Sequence, residues 1–291
     1  MINIWCYWSQ GEKNIPKFHN LCLNSWKKNL NQNYKINIIS KDKFLNIQKE
    51  FNNEYLDNFT FQQQSDIVRL YLLYEYGGIW MDITIILQNS LQFILDKFEQ
   101  DYDQVGFYVQ YPFHIKSKNV LENWFIAVKQ RKNFKIGLWK ETFIKILNQS
   151  IKYKGINNSP IWKETNKTSV PSLINKYLSM HVAHLWCLQN NKKYNYDFKN
   201  KVYLFYANKT ALINPNLKID HYIFGLGYDI NFPIIKFTAF ETKHVKYLSS
   251  NKLKNIIIKE TNTDYVYDRK IILIILIILI IILVKFIRKL L

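Results

Sequence analysis

Three charged side chains interrupt one of the most apolar stretches of the chain. Asp66 and Arg69 lie three residues apart in a segment of helical periodicity, so they share one face of a helix. Asp82 follows the short apolar run 79–81, which has the composition of a core strand. A buried carboxylate or guanidinium is costly unless it is paired or bound to a ligand. Because ligands of α/β proteins gather beyond the carboxyl ends of strands, the pattern predicts a ligand site here.

The elements that position these charges can be predicted from the same segment. Apolar residues occupy positions i, i+3, i+4 and i+7 of a helix and also its other side, which predicts that the helix is buried: Ile67, Leu70, Tyr71 and Tyr74, then Val68, Leu72 and Leu73. Gly77 and Gly78 supply a C-terminal stop, since glycine tolerates a positive φ. We therefore expect a buried helix, a glycine turn and a short strand that ends at Asp82.

This segment resembles the signature of capsular-polysaccharide-synthesis-type glycosyltransferases. The matching residues are Ser65-Asp66-x-x-Arg69 and Leu73-Tyr74-x-Tyr76-Gly77-Gly78-Ile79-Trp80-x-Asp82-x-Thr84. These proteins are similar to a wider group in which an Asp-x-Asp motif holds a divalent cation against the diphosphate of a nucleotide-sugar. Thr84 stands here in place of the second Asp, which leaves direct ligation by a second carboxylate in doubt.

The resemblance implies a set of roles for the charged residues. Asp82 is expected to hold Mg²⁺ or Mn²⁺, with Thr84 as a weaker oxygen ligand. Asp66 and Arg69 are expected to bind the hydroxyls of the donor sugar, and the catalytic residues would be Asp82, Asp66 and Arg69. A cation at the diphosphate would stabilise the charge that develops on the leaving group.

Four further residues match the family's pattern as substrate contacts, and each has a plain structural alternative. Trp8 would stack on the nucleotide base or be a core tryptophan, and Asn123 would contact the donor sugar or cap a helix. His181 would face the active site or be a satisfied core histidine. Lys236 would bind the diphosphate as a point charge or be a solvated surface lysine. His181 and His184 share a helix face, but no further ligand follows at a spacing that favours zinc.

The order of the elements predicts an α/β fold. Strand, helix, strand and helix in succession argue for parallel pairing, and the family's GT-A-type fold has a mostly parallel central sheet flanked by helices. The expected strands are 2–8, 34–39, 105–109, 203–206 and 222–224, with 85–87 continuing the strand before Asp82. The expected helices are 18–30, 41–51, 91–98 and one opened by Pro171; residues 119–127 lead into another that runs to about 151 with a break at Gly137, and 151–170 form a surface loop.

The composition allows two readings of the strong positive charge. The formal net charge is +18, but the lysines are scattered among asparagines and isoleucines, as an AT-rich genome would impose, and form no arginine-rich stripe. A nucleic-acid-binding protein is thus supported by net charge alone, and we expect no nucleic-acid partner. Three cysteines without CxxC spacing indicate a reducing compartment and no structural zinc.

The end of the sequence differs from the rest in kind. Residues 271–284 are Ile, Leu and Val throughout and would form a helix of about 21 Å, short of the roughly 30 Å bilayer core unless the flanking residues contribute. We expect a glycosyltransferase domain at 1–250, a basic juxtamembrane linker at 251–270 and a single-pass C-terminal anchor at 271–291. The first residues lead directly into a strand, so no signal peptide is expected and the catalytic domain would be cytosolic.

These observations predict a membrane-anchored enzyme that moves a sugar from a nucleotide-sugar donor to a saccharide or other hydroxyl acceptor. The alternative is a membrane-tethered carbohydrate-binding protein that keeps the fold and has lost turnover, for which Thr84 is the chief support.

Overall fold

A computed structural model describes residues 1–108, 120–165, 178–207 and 232–237. The chain divides into two units, Met1–Tyr247 and Leu248–Leu291, and all described residues belong to the first. The predicted strand at 222–224, the linker 251–270 and the apolar segment 271–291 lie outside the described residues. None of the described helices is long and apolar enough to cross a membrane.

A six-stranded mixed sheet and a two-stranded sheet are present in the described part of the chain. The strands are β1 (Ile2–Tyr7), β2 (Tyr34–Ile39), β3 (Gly78–Met81), β4 (Ile85–Leu87), β5 (Gln104–Tyr108), β6 (Leu121–Val128), β7 (Val202–Tyr206) and β8 (Ile234–Lys236). The large sheet has the order β2-β1-β3-β6-β5-β7, and β4 pairs with β8. β6 runs antiparallel to both of its neighbours, whereas every other pair in the large sheet is parallel. The expectation of a mostly parallel sheet in an α/β fold is confirmed.

Helices cover both faces of this sheet. They are α1 (Lys17–Asn29), α2 (Lys41–Ile47), α3 (Asn53–Asp57), α4 (Phe61–Tyr76), α5 (Gln92–Glu99), α6 (Phe134–Lys152), α7 (Pro160–Glu164), α8 (Ser179–Asn190) and α9 (Lys192–Lys201). One core cluster packs α4, α6 and α8 against one face of the sheet. A second cluster packs α1 and α5 with β4 and β8 against the other face. The sheet is thus packed on both faces by apolar side chains, which leaves its edges as the places where polar side chains can meet solvent.

Helix α4 begins and ends as its sequence dictates. Thr60 accepts a hydrogen bond from the Gln63 amide, and the Gln63 side chain accepts one from the Thr60 amide, which completes a capping box. Gly77 has a φ of 65° and Gly78 a φ of 90°, so the predicted glycine stop is confirmed. A Cβ on Gly78 would lie 2.4 Å from the backbone oxygen of Asn3. Glycine therefore allows β3 to enter the sheet directly beside β1.

Three segments differ from the sequence prediction. Residues 121–128 form a strand that is buried throughout, and the following helix begins only at Phe134, where the Asn133 side chain caps it. α6 continues through Gly137 without a break. The glycine instead makes room for the ring of Tyr74, since an added Cβ would lie 2.8 Å from Tyr74 Cε2. The part of the predicted loop 151–170 that is described contains α7, whose Ile161 and Trp162 are buried.

The segment after Asp82 is also different. Residues 85–87 do not continue β3 but form β4, because a turn closed by the Ile85 amide and the Asp82 carbonyl, 3.0 Å apart, reverses the path of the chain. β4 then pairs with β8, with Ile85 opposite Lys236. The turn leaves Asp82 and Thr84 at the end of the large sheet, and the small sheet brings residues from far along the chain to meet them.

Candidate functional site at the carboxyl edge of the sheet

The site forms where the parallel strands β1 and β3 end side by side. Trp8 follows β1 and Asp82 follows β3, and the Asp82 amide donates to the Trp124 carbonyl on β6 over 2.9 Å. Parallel strands place their carboxyl ends at one edge, which is where ligands of α/β proteins bind. The predicted position of Asp82 at a strand exit is confirmed.

Arg69 links the two carboxylates that were singled out in the sequence. Its Nη1 donates to Asp66 Oδ1, and its Nη2 donates to Asp82 Oδ1 over 3.0 Å. The guanidinium also lies over the ring of Trp80, with Cζ 4.6 Å from the ring centroid. Only 1% of the Arg69 side chain is exposed. A guanidinium this deep needs its anionic partners, and the charge pair is therefore a structural unit.

Asp66 lies behind Arg69 and is fully buried. The side-chain Nδ2 of Asn123 on β6 donates to Asp66 Oδ1 over 3.1 Å, while Asp66 Oδ2 has no hydrogen-bond partner among the described residues. Burial raises the pKa of Asp66 to about 6, although the charges of Arg69 and His181 act in the opposite direction. Asp66 and Asn123 thus form a buried layer behind Arg69. Asp82 lies in front of it and is partly exposed, with a quarter of its side chain accessible.

Lys236 reaches the same carboxylate from the small sheet. Its Nζ lies 2.9 Å from Asp82 Oδ2 and 2.5 Å from Thr84 Oγ1. Burial alone would raise the pKa of Asp82, but the charges of Lys236 and then Arg69 hold it below its ordinary value. Asp82 is therefore ionised at neutral pH, and its two oxygens are divided between two cations. The surface-lysine alternative does not apply, since Lys236 is buried.

The pair of residues expected to hold a divalent cation is arranged differently from that expectation. The ammonium of Lys236 lies between the oxygens of Asp82 and Thr84, and Trp80 Nε1 also donates to Asp82 Oδ1 over 2.9 Å. Mg²⁺ takes about six oxygens near 2.1 Å, which come from one or two carboxylates, from water and from substrate phosphates. No cluster of three or more His, Cys, Asp or Glu side chains suited to a metal occurs in the described ranges. As arranged, Asp82 and Thr84 share the ammonium of Lys236 between their side-chain oxygens.

A cavity of about 150 Å³ opens in front of Asp82. Its walls include Trp8, His19, Ser65, Arg69, Trp80, Asp82 and Thr84. Trp8 is half-buried, its Nε1 donates to the Asn14 carbonyl over 3.2 Å, and its ring centroid lies 5.0 Å from that of His19. The tryptophan is thus at the wall of the cavity, where it also packs against the second core cluster.

The two histidines of α8 have different surroundings. His181 is buried, with Nε2 3.8 Å from Glu122 Oε1, and it is close enough to Asp66 to lower the pKa of that carboxyl. His184 is buried among α6 and α9, where its Nδ1 meets the Tyr194 hydroxyl at 2.6 Å, and burial lowers its pKa to about 3. His184 is therefore a neutral core histidine. His181 belongs to the buried layer behind the cavity.

Sequence reasoning missed several members of the site. Trp80 and Ser65 lie within the matched segment but were not assigned a role. The aromatic residue two positions before Asp82 could have been noticed in the sequence, and its ring lies under the Arg69 guanidinium. His19 and Glu122 come from α1 and β6 and have no local pattern that marks them. Their positions depend on the packing of distant elements.

By its fold, the chain is an α/β protein with an ionised carboxylate, Asp82, at the carboxyl edge of its main sheet. It belongs to the capsular polysaccharide synthesis protein family, whose model matches residues 1–221. The family predicted from the segment around Asp66 and Asp82 is confirmed.

Curated proteins and solved structures that resemble the chain carry glycosyltransferase names. The chain is 26% identical over 237 residues to glycosyltransferase afumC of Aspergillus fumigatus, covering 70% of this chain and 59% of that protein. It is 27% identical over 175 residues to O-glycosyltransferase braB of Annulohypoxylon truncatum, covering 55% of this chain and 41% of that protein. The chain thus spans about half the length of these relatives.

Two solved structures are similar over much of the chain. PaToxG glycosyltransferase aligns with 19% identity and a TM-score of 0.39 over 68% of this chain and 74% of that one. The galactosyltransferase LgtC, solved with donor and acceptor sugar analogues, aligns with 11% identity and a TM-score of 0.45 over 82% of this chain and 87% of that one. Since both TM-scores are below 0.5, nothing about the donor or acceptor follows from them.

Proposed function

We propose that the chain is a glycosyltransferase with a GT-A-type fold that transfers a sugar from a nucleoside diphosphate-sugar to a hydroxyl of a saccharide or other acceptor. The observation that carries the proposal is the ionised Asp82 at the wall of the cavity, held between Arg69 and Lys236. Membership of the family and the names of the curated relatives support the class of reaction.

The reaction makes a clear electrostatic demand. The bond between the sugar C1 and the diphosphate oxygen breaks with its electron pair left on the diphosphate, while the acceptor oxygen bonds to C1 and releases its proton to solvent or to the leaving group. Negative charge therefore grows on the diphosphate, and fixed cations lower the barrier where it grows. Arg69 lines the cavity and Lys236 lies against Asp82 and Thr84 in its wall, so these two cations can meet this charge.

We assign Asp82 the task of fixing both cations. Its Oδ1 accepts from Arg69 and its Oδ2 from Lys236, so the carboxylate sets the distance between the two positive charges. Preorganised charges need no rearrangement during the reaction, which is the main reason that such sites are effective. Thr84 helps to orient Lys236 through its hydroxyl.

Asp66, Asn123 and His181 would act through other residues and not by contact with the donor. Asp66 is fully buried and Asn123 nearly so, and both are tied to Arg69 through Asp66 Oδ1. We propose that they position Arg69, whose charge acts on the donor from the wall of the cavity. His181 would adjust the charge of Asp66 from α8.

Trp8 is proposed to contact the base of the donor. Its half-buried ring lies at the cavity wall after β1, and stacking on an aromatic ring is available to any base because each has a π-face. Its replacement by leucine should weaken nucleotide binding more than it changes the maximal rate, since the ring is remote from the bond that breaks.

Transfer and hydrolysis measured on a panel of nucleoside diphosphate-sugars test the proposal. The wild-type protein should consume at least one donor, and Asp82→Asn should lower turnover by about a hundredfold or more, in line with the loss of one preorganised electrostatic group. The matched control is Asp57→Asn, which removes an exposed carboxylate paired only with Lys41 on the surface. The control should keep full turnover and both variants should keep a cooperative thermal transition.

Two results would contradict this assignment. If no donor is consumed and yet a nucleoside diphosphate or saccharide binds at the cavity, the chain is a carbohydrate-binding protein on the same fold. If Asp82→Asn keeps full turnover, Asp82 is a structural residue and the site has been misplaced.

A further inference from the structure

We infer that the ammonium of Lys236 is the resident cation of this site and takes the place of a divalent metal between Asp82 and Thr84. The inference rests on the proposed function, because it concerns how the diphosphate of the donor is held. Its consequence is that a nucleoside diphosphate binds here equally well with and without a divalent metal.

The position of Nζ is the first observation behind the inference. It lies 2.9 Å from Asp82 Oδ2 and 2.5 Å from Thr84 Oγ1, between the two oxygens that would otherwise ligate a metal. An ammonium has three donors, of which Asp82 and Thr84 engage two. About a tenth of the Lys236 side chain is exposed. The third donor has no partner among the described residues, and we infer that it binds a phosphate oxygen placed next to Asp82 and Thr84 in the cavity wall.

The second observation is the type of residue at position 84. A threonine hydroxyl accepts a hydrogen bond from an ammonium but adds no negative charge to attract a divalent ion. Asp82 brings one negative charge, and Lys236 already neutralises its free oxygen while Arg69 and Trp80 occupy the other. A metal would have to displace Nζ and share one carboxylate with Arg69. The lysine and the threonine thus complement each other.

The third observation is that backbone pairing holds the main chain of Lys236 beside Thr84. Lys236 lies opposite Ile85 in the ladder between β4 and β8, and the Phe237 amide donates to the Thr84 carbonyl over 3.0 Å. The small sheet is itself anchored to α1, where Trp26 Nε1 donates to the Ile85 carbonyl over 2.7 Å. These bonds fix the lysine backbone beside Thr84, and the bonds of Nζ to Asp82 and Thr84 then hold the cation itself.

Calorimetric titration of uridine and guanosine diphosphate into the full chain tests the inference. In EDTA and in millimolar Mn²⁺, the dissociation constant of the nucleotide that binds should agree within about twofold. Lys236→Gln should weaken that binding about tenfold in EDTA, the size expected for one lost charged hydrogen bond. Lys236→Arg should retain most of it. Lys28→Gln, which removes an equal charge at an exposed position, should match the wild type.

A charge swap provides the complementary arm. Lys236→Ala combined with Thr84→Asp removes the ammonium and restores a second carboxylate. The doubly substituted chain should bind the nucleotide at least about tenfold more tightly in Mn²⁺ than in EDTA, because a divalent ion now has two carboxylates and free space. A thermal midpoint close to that of the wild type would show that the fold is kept.

The outcomes separate the two claims. If the wild-type chain binds nucleotide only with Mn²⁺, the inference is overturned while the proposed donor class stands. If Lys236→Gln binds as tightly as the wild type, Lys236 does not contact the diphosphate and the inference is likewise overturned. If neither nucleotide nor any other nucleoside diphosphate binds under either condition, the proposed function fails and the inference fails with it.

Discussion

Arg69 shows how a single residue organises this site. It carries one positive charge between two carboxylates and lies over an indole ring, with almost none of its side chain exposed. A planar guanidinium suits such a position because it presents five donors in a rigid fork and can lie flat on an aromatic ring, whereas a lysine ammonium is a compact point charge. The arginine therefore transmits the position of the buried Asp66 to the exposed Asp82.

The buried Asp66 predicts an unusual dependence of stability on pH. Its pKa is about 6 in the folded chain against an ordinary value of 3.8, so folding takes up a proton between these values. The stability contributed by the protonated form is fully present below about pH 4 and is lost as the pH rises through about 6. As the pH rises from about 4 to above 6, the unfolding free energy of the wild type should therefore fall relative to that of Asp66→Asn by on the order of 2–3 kcal/mol.

Urea unfolding of both proteins between pH 4 and pH 7.5 measures this difference. Asp57→Asn, which alters an exposed carboxylate, should follow the wild-type curve. Parallel curves for wild type and Asp66→Asn would show that Asp66 does not take up a proton on folding.

At the scale of elements, the junction between α4 and β3 controls where Asp82 emerges. Gly77 ends the helix and Gly78 begins a strand that lies against β1, with Ile79 opposite Ile4. An added Cβ on Gly78 would touch the backbone of Asn3, which cannot move without displacing β1. Position 78 thus requires glycine for two reasons: its φ is positive, and any Cβ would clash with the backbone of Asn3.

Two alanine substitutions separate these requirements. Gly78→Ala and Gly11→Ala impose the same backbone strain, since the φ values are 90° and 83°. The Cβ at Gly11 would meet its nearest atom, Ser40 Cβ, at an ordinary 3.8 Å, whereas that at Gly78 would meet Asn3 O at 2.4 Å. We expect Gly11→Ala to cost about 1 kcal/mol and Gly78→Ala at least about 2 kcal/mol more. Denaturant unfolding checks both, and equal losses would show that the close contact is relieved freely.

At the scale of the whole molecule, the sheet separates two apolar layers and meets the polar site at one edge. Helices α4, α6 and α8 build one layer, and α1 and α5 with the small sheet build the other. The layers hold the strands from both sides, so the ends of β1 and β3 are rigid. The cations reach Asp82 from different layers: Arg69 comes from α4 and Lys236 from β8.

The apolar segment 271–284 leads to a prediction about localisation. We propose that it anchors the chain in a membrane, because transfer of its Ile, Leu and Val side chains into lipid is worth on the order of 1.5 kcal/mol or more for each. The full chain should stay with membranes in carbonate, and a chain ending before Arg269 should be released and keep transfer to a small acceptor. Sedimentation and an activity assay on both forms decide this. Release of the full chain, or aggregation of the shortened one, would contradict the anchor.

Local patterns were sufficient to predict one part of this protein. The helix α4, its glycine stop, the strand β3 and the placement of Asp66 and Arg69 on one helix face depend on residues within a few positions of one another. Helical spacing and the conformational freedom of glycine act at that range, so a single sequence determines them. The same holds for β2, whose bounds agree with the predicted 34–39.

Only the tertiary structure decided what surrounds Asp82. Asn123 and Lys236 were named as substrate contacts, but their partners lie 57 and 154 residues away, at Asp66 and Asp82. The direction of β6 and the pairing of β4 with β8 bring them there, and an apolar run does not reveal its direction or its partner strand. The sequence by itself determined which residues are charged and where the acid leaves the strand. Packing decided that the cation beside it is a lysine, because side chains so distant in the chain meet only when both layers close on the sheet.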